Sequence, residues 1–285
     1  MINILAGEAR DLTDRASRPQ SLIITIYGAF SRKNANWFSG QSIVQLCSEL
    51  DVNEDATRSA LARFKKRGIL ISKKVNGLNG YALSLNVKRT FEQGDARVLQ
   101  RRVPPINQGW ILVAFSIPEE TRAIRYQLRS RLLRIGFAQV TGGLWVAPLQ
   151  LCEDAILLAK SLKIENCMSI FSAEHLAFKP TAQAVAEWWD LEGIAEVYKS
   201  FNATAKPVLN SWVRRRTQPD PKLAFIDYTK ILTNWRHVPY FDPGLPKEYL
   251  PRNWAGYDAT ETFFGIHDRL SGPALNFALN VAKNS

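Results

Sequence analysis

The chain has 285 residues, 46% hydrophobic and 11% aromatic, enough for two or three compact cores. It has no run near the ~18–20 apolar residues of a membrane span, Glu8, Asp11 and Asp14 sit where a signal peptide needs an apolar stretch, and three scattered cysteines (Cys47, Cys152, Cys167) fit a reducing cytoplasm rather than a disulfide framework. The net charge of +11 is uneven: residues 1–103 hold 17 Lys and Arg against 9 Asp and Glu, and the other 182 hold 20 against 17, a field that favours nucleic acid first and an anionic membrane second, with a solubilising surface as the plain alternative.

Behind Arg18-Pro19, Ile23, Ile26, Tyr27 and Phe30 recur at helical spacing over 19–31. Residues 31–40 are polar apart from Trp37-Phe38 and read as a loop. Ile43, Leu46, Cys47 and Leu50 give a second helix. After the turn at Asp51-Val52-Asn53, either Asp51 (in a capping box with Glu54) or Asn53 caps a third helix. That helix runs to Lys66-Arg67 and stops at Gly68, with cations in its last turn. Residues 69–75 and 81–85 are β-rich and flank Asn76-Gly77-Leu78-Asn79-Gly80, which reads as the turn of a hairpin. Helix, helix, helix, hairpin predicts a winged helix-turn-helix over 19–98, after an N-terminal extension of 1–18.

Residues 86–97 look helical, and 99–109, with Arg101, Arg102, Pro104 and Pro105, read as a linker. Over 110–178 the order is a strand at 110–115, a helix with Ile124, Leu128, Leu132 and Ile135 on one face, strands at 137–140 and 144–147 about a glycine turn, a helix at 152–163, and a strand at 167–172. That β-α-β-β-α-β order predicts a ferredoxin-like unit. Residues 179–285 predict a helical domain with helices near 181–202, 206–216 and 220–234, a proline-rich stretch at 239–251 and a final helix. The fold class expected is therefore α+β.

The third helix carries the functional argument. On a helical wheel Ala60, Leu61, Phe64 and Thr57 share one side, and Arg58, Ser59, Ala62, Lys65 and Lys66 share the other. Small residues let a helix approach a major groove, an arginine can pair with a guanine edge, and lysines neutralise phosphate. Lys73 and Lys74 lie on the adjoining hairpin. From 53 to 74 seven cations face two acids, where solvated helix faces usually mix signs. Double-stranded DNA is the partner this pattern predicts.

Residues 21–28 (SLIITIYG) and 57–64 (TRSALARF) resemble the N-terminal signature of the PaaX family of repressors. Trp235-Arg236, Asp242-Pro243-Gly244-Leu245-Pro246, Leu250-Pro251 and Trp254-Ala255-Gly256 are similar to its C-terminal signature, so the likeness spans about 19–280. It implies three parts (winged helix, ferredoxin-like, helical), a homodimer on a palindromic operator in a catabolic gene cluster, and release by a small effector, an aryl-CoA thioester or aromatic intermediate. By the resemblance Arg58 and Ser59 take the place of the family's Arg-Thr pair, and Arg63 that of its next arginine. Where relatives carry a basic pair and a serine near the wing tip, this chain has Leu78, Asn79 and Gly80.

Two further clusters are candidates. Arg122, Arg125 and Arg129 form either a solvated stripe or a face for DNA or CoA phosphate. Trp235, Arg236 and His237, with Tyr240, Phe241 and Trp254, line either an aromatic effector pocket or a packed loop. Arg214-Arg215-Arg216 either ends a helix or meets phosphate. The central unit also resembles small CRISPR-associated metal nucleases, but residues 115–118 (FSIP) lack the carboxylate that would hold the ion. No nucleophile, base and orienter set emerges, so neither enzyme chemistry, metal nor cofactor is expected; the alternatives to a ligand-released repressor are a CoA-thioester-processing or nucleic-acid-processing enzyme and an effector-free scaffold.

Overall fold

The computed structural model describes residues 18–100, 109–176, 178–215 and 217–284. Residues 1–17 of the N-terminal extension (1–18), most of the proposed linker (101–108) and Arg216 lie outside the described residues. The fold is α+β, with two small antiparallel sheets. The described residues divide into two compact units, 18–100 with 198–237 and 256–284, and 109–197 with 238–255.

The first unit opens with α1 (Pro19–Phe30), whose proline at the first turn loses no helical bond. A short 3-10 turn leads into β1 (Trp37–Ser39). The expected loop at 31–40 therefore contains a strand. Three residues are too few for alternation to show, and all three are buried. α2 (Gly40–Ser48) starts on Ser39, whose hydroxyl accepts from Ser42 N at 2.9 Å. α3 (Glu54–Lys66) is capped by Asn53, which accepts from Ala56 N at 2.8 Å. Asp51, the other capping candidate, instead turns the chain with a positive φ of 64°. Gly68, at φ 67°, ends the segment in the left-handed region that favours glycine.

β2 (Leu70–Val75) and β3 (Leu78–Leu83) pair directly, and β1 adds to the far edge of β3, giving the order β1-β3-β2. The hairpin turn is only Asn76-Gly77, with φ 48° and 83°, the positive pair that a two-residue primed turn requires. The five-residue turn read from the sequence is thus corrected. Leu78, Asn79 and Gly80 are strand residues opposite Val75, Lys74 and Lys73. α4 (Leu85–Leu99) crosses α1 at Gly28, where an added Cβ would lie 3.3 Å from the Phe91 ring.

Helices from the C-terminal part complete this unit. α8 (Leu191–Arg214) runs through Pro207, and α10 (Ala255–Lys283) runs through Pro273. The expected break near 203–205 is absent, and the helices separate instead at Trp189-Asp190. An internal proline costs a helix ~3 kcal/mol, and α8 offsets that by burying Phe201, Ala205 and Trp212. α9 (Pro221–Trp235), capped by Asp220, packs on α1. Phe225 and Tyr228 meet Phe30 with ring centroids 5.4 and 6.3 Å apart.

In the second unit β4 (Trp110–Phe115), α5 (Arg122–Ile135), β5 (Ala138–Thr141), β6 (Leu144–Pro148), α6 (Cys152–Leu162) and β7 (Met168–Ala173) follow in order. The sheet runs β5-β6-β4-β7, all antiparallel. Leu128, Leu132, Ala155 and Leu158 from the helices pack with Ile111, Val113 and Trp145 from the strands. α7 (Thr181–Trp188) and Trp189 join at the other end, where Trp110 stacks on Trp189 and Tyr249, both at 5.8 Å. Asp242 accepts from Gly244 N at 2.7 Å and so fixes the Asp242-Pro243-Gly244 turn, and Gln150 donates to Gly244 O at 2.7 Å. Pro243 lies where a Cβ on Gly136 would be 2.9 Å away, so glycine is required there twice over, its φ being 104°.

Candidate nucleic-acid interface

The α3 surface follows from its sequence period. Thr57, Ala60, Leu61 and Phe64 are buried, and Arg58, Ser59, Ala62, Arg63, Lys65 and Lys66 are exposed. Arg63, on the flank of the wheel, is as open as the rest. Acids occupy the first turn (Glu54, Asp55) and cations the last (Arg63, Lys65, Lys66). That order also complements the helix dipole, so the gradient stabilises the helix while making its C-terminal half strongly positive.

The buried side holds α3 against α2. Thr57 donates to Asn53 O at 3.0 Å. Cys47 lies beneath, and burial pushes its thiol up to about 12 despite a hydrogen bond with Thr57, so it is an inert core residue rather than a nucleophile.

The hairpin brings Lys73 and Lys74 beside α3. Both are exposed, and their backbone is held from below. The Trp37 indole donates to Lys73 O at 2.9 Å, and the Trp37 ring lies over Gly80, the cross-strand partner of Lys73. Tyr27 in turn donates to Tyr81 O at 3.1 Å. The two lysines therefore stand on a ladder pinned to the core through Trp37 and Tyr27.

Between the hairpin and the starts of α2 and α3 lies a groove of about 680 Å³. Gln41, Glu54, Arg58, Lys73, Lys74 and Asn79 line it. Of these, only Arg58, Lys73 and Lys74 were picked out by sequence reasoning. Asn79 was read as turn, and the two-residue Asn-Gly turn would have placed it opposite Lys74. Arg58 is not free in this structure: its Nε donates to Glu54 Oε1 at 2.7 Å, and a second guanidinium nitrogen pairs with the same oxygen. The i, i+4 spacing of this pair is visible in the sequence.

The arginine stripe on α5 is not a uniform face. Arg125 donates to Ile117 O at 2.6 Å and pairs with Glu119 at 2.9 Å, pinning the segment before its own helix. Arg129 donates to Gln139 Oε1 at 2.9 Å. Arg122 is exposed. Arg215 stacks over the Trp212 ring at 4.2 Å just beyond the end of α8 at Arg214.

Trp235 is buried, stacked on Phe263 at 4.6 Å, and its indole donates to Val98 O at 2.9 Å. With that commitment it serves as core. Arg236 and His237 follow at the end of α9, both half-buried. Tyr240, Phe241 and Trp254 fall in the other unit. Among the described residues no group of three or more His, Cys, Asp or Glu is placed to share a metal ion, and no helix is long and apolar enough to cross a membrane.

Three family models match the chain in order: a PaaX-like protein model over 18–87, the PaaX protein central Cas2-like domain over 104–185, and the PaaX-like protein C-terminal domain over 189–280. The transcriptional repressor PaaX of Escherichia coli (strain K12) is 26% identical over 270 residues, covering 93% of this chain and 84% of that protein. A solved structure of an uncharacterized protein from Mycobacterium tuberculosis is similar in fold, with a TM-score of 0.55 and 20% identity over 89% of this chain and 97% of that one.

Proposed function

The chain belongs to the PaaX family, and we propose that it is a transcriptional repressor that binds a palindromic DNA operator as a homodimer and leaves it when a small effector binds. It is a regulator and not an enzyme. The observation that carries the reading is the outward face of α3, where Arg58, Ser59, Ala62, Lys65 and Lys66 are all exposed beside Lys73 and Lys74. Such a face offers close approach, a base-reading guanidinium and phosphate-neutralising cations together.

The element order α1-β1-α2-α3-β2-β3, with the sheet order β1-β3-β2, supports reading 19–98 as a winged helix with α3 as its recognition helix. The β-α-β-β-α-β order and all-antiparallel sheet support a ferredoxin-like unit over 110–178. The linker at 99–109 and the helical domain at 179–285 complete the proposed division. The operator is that of a bacterial catabolic gene cluster, and the protein works in the cytoplasm. The effector is an aryl-CoA thioester or aromatic intermediate. Its contacts are proposed at either of two clusters, each within its own unit: Arg122, Arg125 and Arg129 on α5, or Arg236 and His237 at the end of α9 with Trp235 behind them in the core.

The test is a gel shift at moderate salt, using a duplex enriched by the protein from a randomised pool. The double variant Arg58→Ala, Lys65→Ala should lose retention of that duplex while its melting temperature stays unchanged. Undiminished retention would sink the assignment. A thermal-shift screen of aryl-CoA thioesters and aromatic acids tests the effector, because a ligand that binds the native state raises the melting temperature.

A further inference from the structure

We infer that Glu54 is a specificity-determining residue of the DNA-reading surface, one that holds the Arg58 guanidinium and turns it away from indiscriminate phosphate contact. The inference rests on the functional reading above and concerns the same groove. Glu54 is the sole acid lining that groove, where Arg58, Lys73 and Lys74 supply the cations. A surface built only to hold polyanion would gain from a neutral residue at this place.

The geometry gives the carboxylate two effects. First, Arg58 is bound to it through two nitrogens on one oxygen, so the guanidinium is held along the helix rather than free to sweep toward the nearest phosphate. An arginine oriented by a carboxylate presents its remaining N–H groups in a fixed direction, as bidentate pairing with guanine O6 and N7 requires. Second, a carboxylate in the groove repels phosphate and can accept from a cytosine N4 amino group. Both effects penalise unmatched DNA more than the matched site, and specificity is such a difference. Neither Glu54 nor Arg58 is buried (side chains 55% and 67% exposed), so both are open to an incoming duplex.

Asp55 is the control. It is exposed and carries the same charge in the same turn of α3, but it does not line the groove. Wild type, Glu54→Gln and Asp55→Asn would be compared on the enriched duplex and on poly(dA-dT), with melting curves to verify folding. Glu54→Gln should bind poly(dA-dT), which offers neither a guanine nor a cytosine edge, about two- to fivefold more tightly, the scale of losing one exposed charge contact, with no matching gain on the enriched duplex. A fresh selection with this variant should return a looser consensus. Asp55→Asn should leave the ratio of the two affinities near the wild-type value. An unchanged ratio in Glu54→Gln overturns the inference, and so does an equal change in both variants, which would mean bulk charge alone. Failure of the wild-type protein to bind either duplex overturns the functional reading itself, and the inference with it.

Discussion

Thr233 on α9 and Thr25 on α1 lie with their hydroxyl oxygens 2.8 Å apart, fully buried, across 208 residues of chain. Thr25 donates onward to Ser21 O at 3.0 Å, and Thr233 lies 2.6 Å from Thr229 O. Around this contact Lys222 pairs with Glu49 at 2.7 Å and Lys230 with Asp51 at 3.2 Å, so the start and the middle of the α2–α3 turn are tied to α9. A helix from the C-terminal part is thus built into the core that carries the proposed recognition helix.

Residues 18–100 alone should therefore be much less stable than the full chain, because Phe30 would lose Phe225 and Tyr228. In the full chain Phe30→Ala should cost ~3–5 kcal/mol, the range for a buried aromatic. Circular dichroism melts of both would check this. A fragment as stable as the parent would show that α9 adds nothing to the core.

Lys73→Ala and Lys74→Ala should weaken binding to every duplex alike and each lower the slope of log affinity against log salt by about 1, as expected of phosphate contacts. Arg58→Ala should instead cost ~1–3 kcal/mol on the enriched duplex and little on poly(dA-dT), which has no guanine edge. Titrations at several salt concentrations separate the two behaviours.

Gly80→Ala should damage the hairpin although glycine brings no side chain to the groove it lines. Its Cβ would sit 2.2 Å from Phe38 O and 2.7 Å from the Trp37 ring. Either β1 must part from β3 or Trp37 must leave Lys73 O, and overpacking of this kind costs about 1–3 kcal/mol or more. Thermal melts, with indole fluorescence as the reporter of Trp37, would follow it.

Stability should fall as the solution is acidified through the usual histidine range. His267 is half-buried, and desolvation holds its imidazole below the ordinary value against the opposing pull of Asp268. Tyr228 lies 2.8 Å from His267 Nδ1, which suits a neutral ring accepting from the phenol, whose own ionisation burial pushes up. The unfolded chain then binds the proton more readily than the folded one. The contribution is complete above the unfolded pKa and is lost as pH falls toward the folded one. Melts between pH 7.5 and 5.5 should show a drop that His267→Gln reduces. An equal drop in both proteins would assign the acid sensitivity elsewhere.

Much of the α3 face was legible because a helix of thirteen residues repeats its pattern several times. Thr57, Ala60, Leu61 and Phe64 mark the inside, and the cations must then lie outside. Gly68 marked a helix end because few other residues adopt a positive φ. β1 was not legible, since Trp37-Phe38-Ser39 shows no alternation. The turn was misjudged because Leu78-Asn79-Gly80 has turn-like composition, and cross-strand pairing overrode it. The expected break between helices at 181–202 and 206–216 was overruled by the buried face of α8, which runs unbroken through it. Trp235 looked available to a ligand because an aromatic beside a cation suits either a pocket or a core.

The sequence by itself determined the elements of the four-stranded sheet, the hairpin strands beside α3, the α+β class and the identity of the basic helix, because these depend on local periods and turn chemistry. Only the tertiary structure decided what Arg58, Trp235 and Thr233 touch. Those contacts join side chains on separate turns or distant segments, and backbone pairing and close packing choose among the partners that a local pattern leaves open.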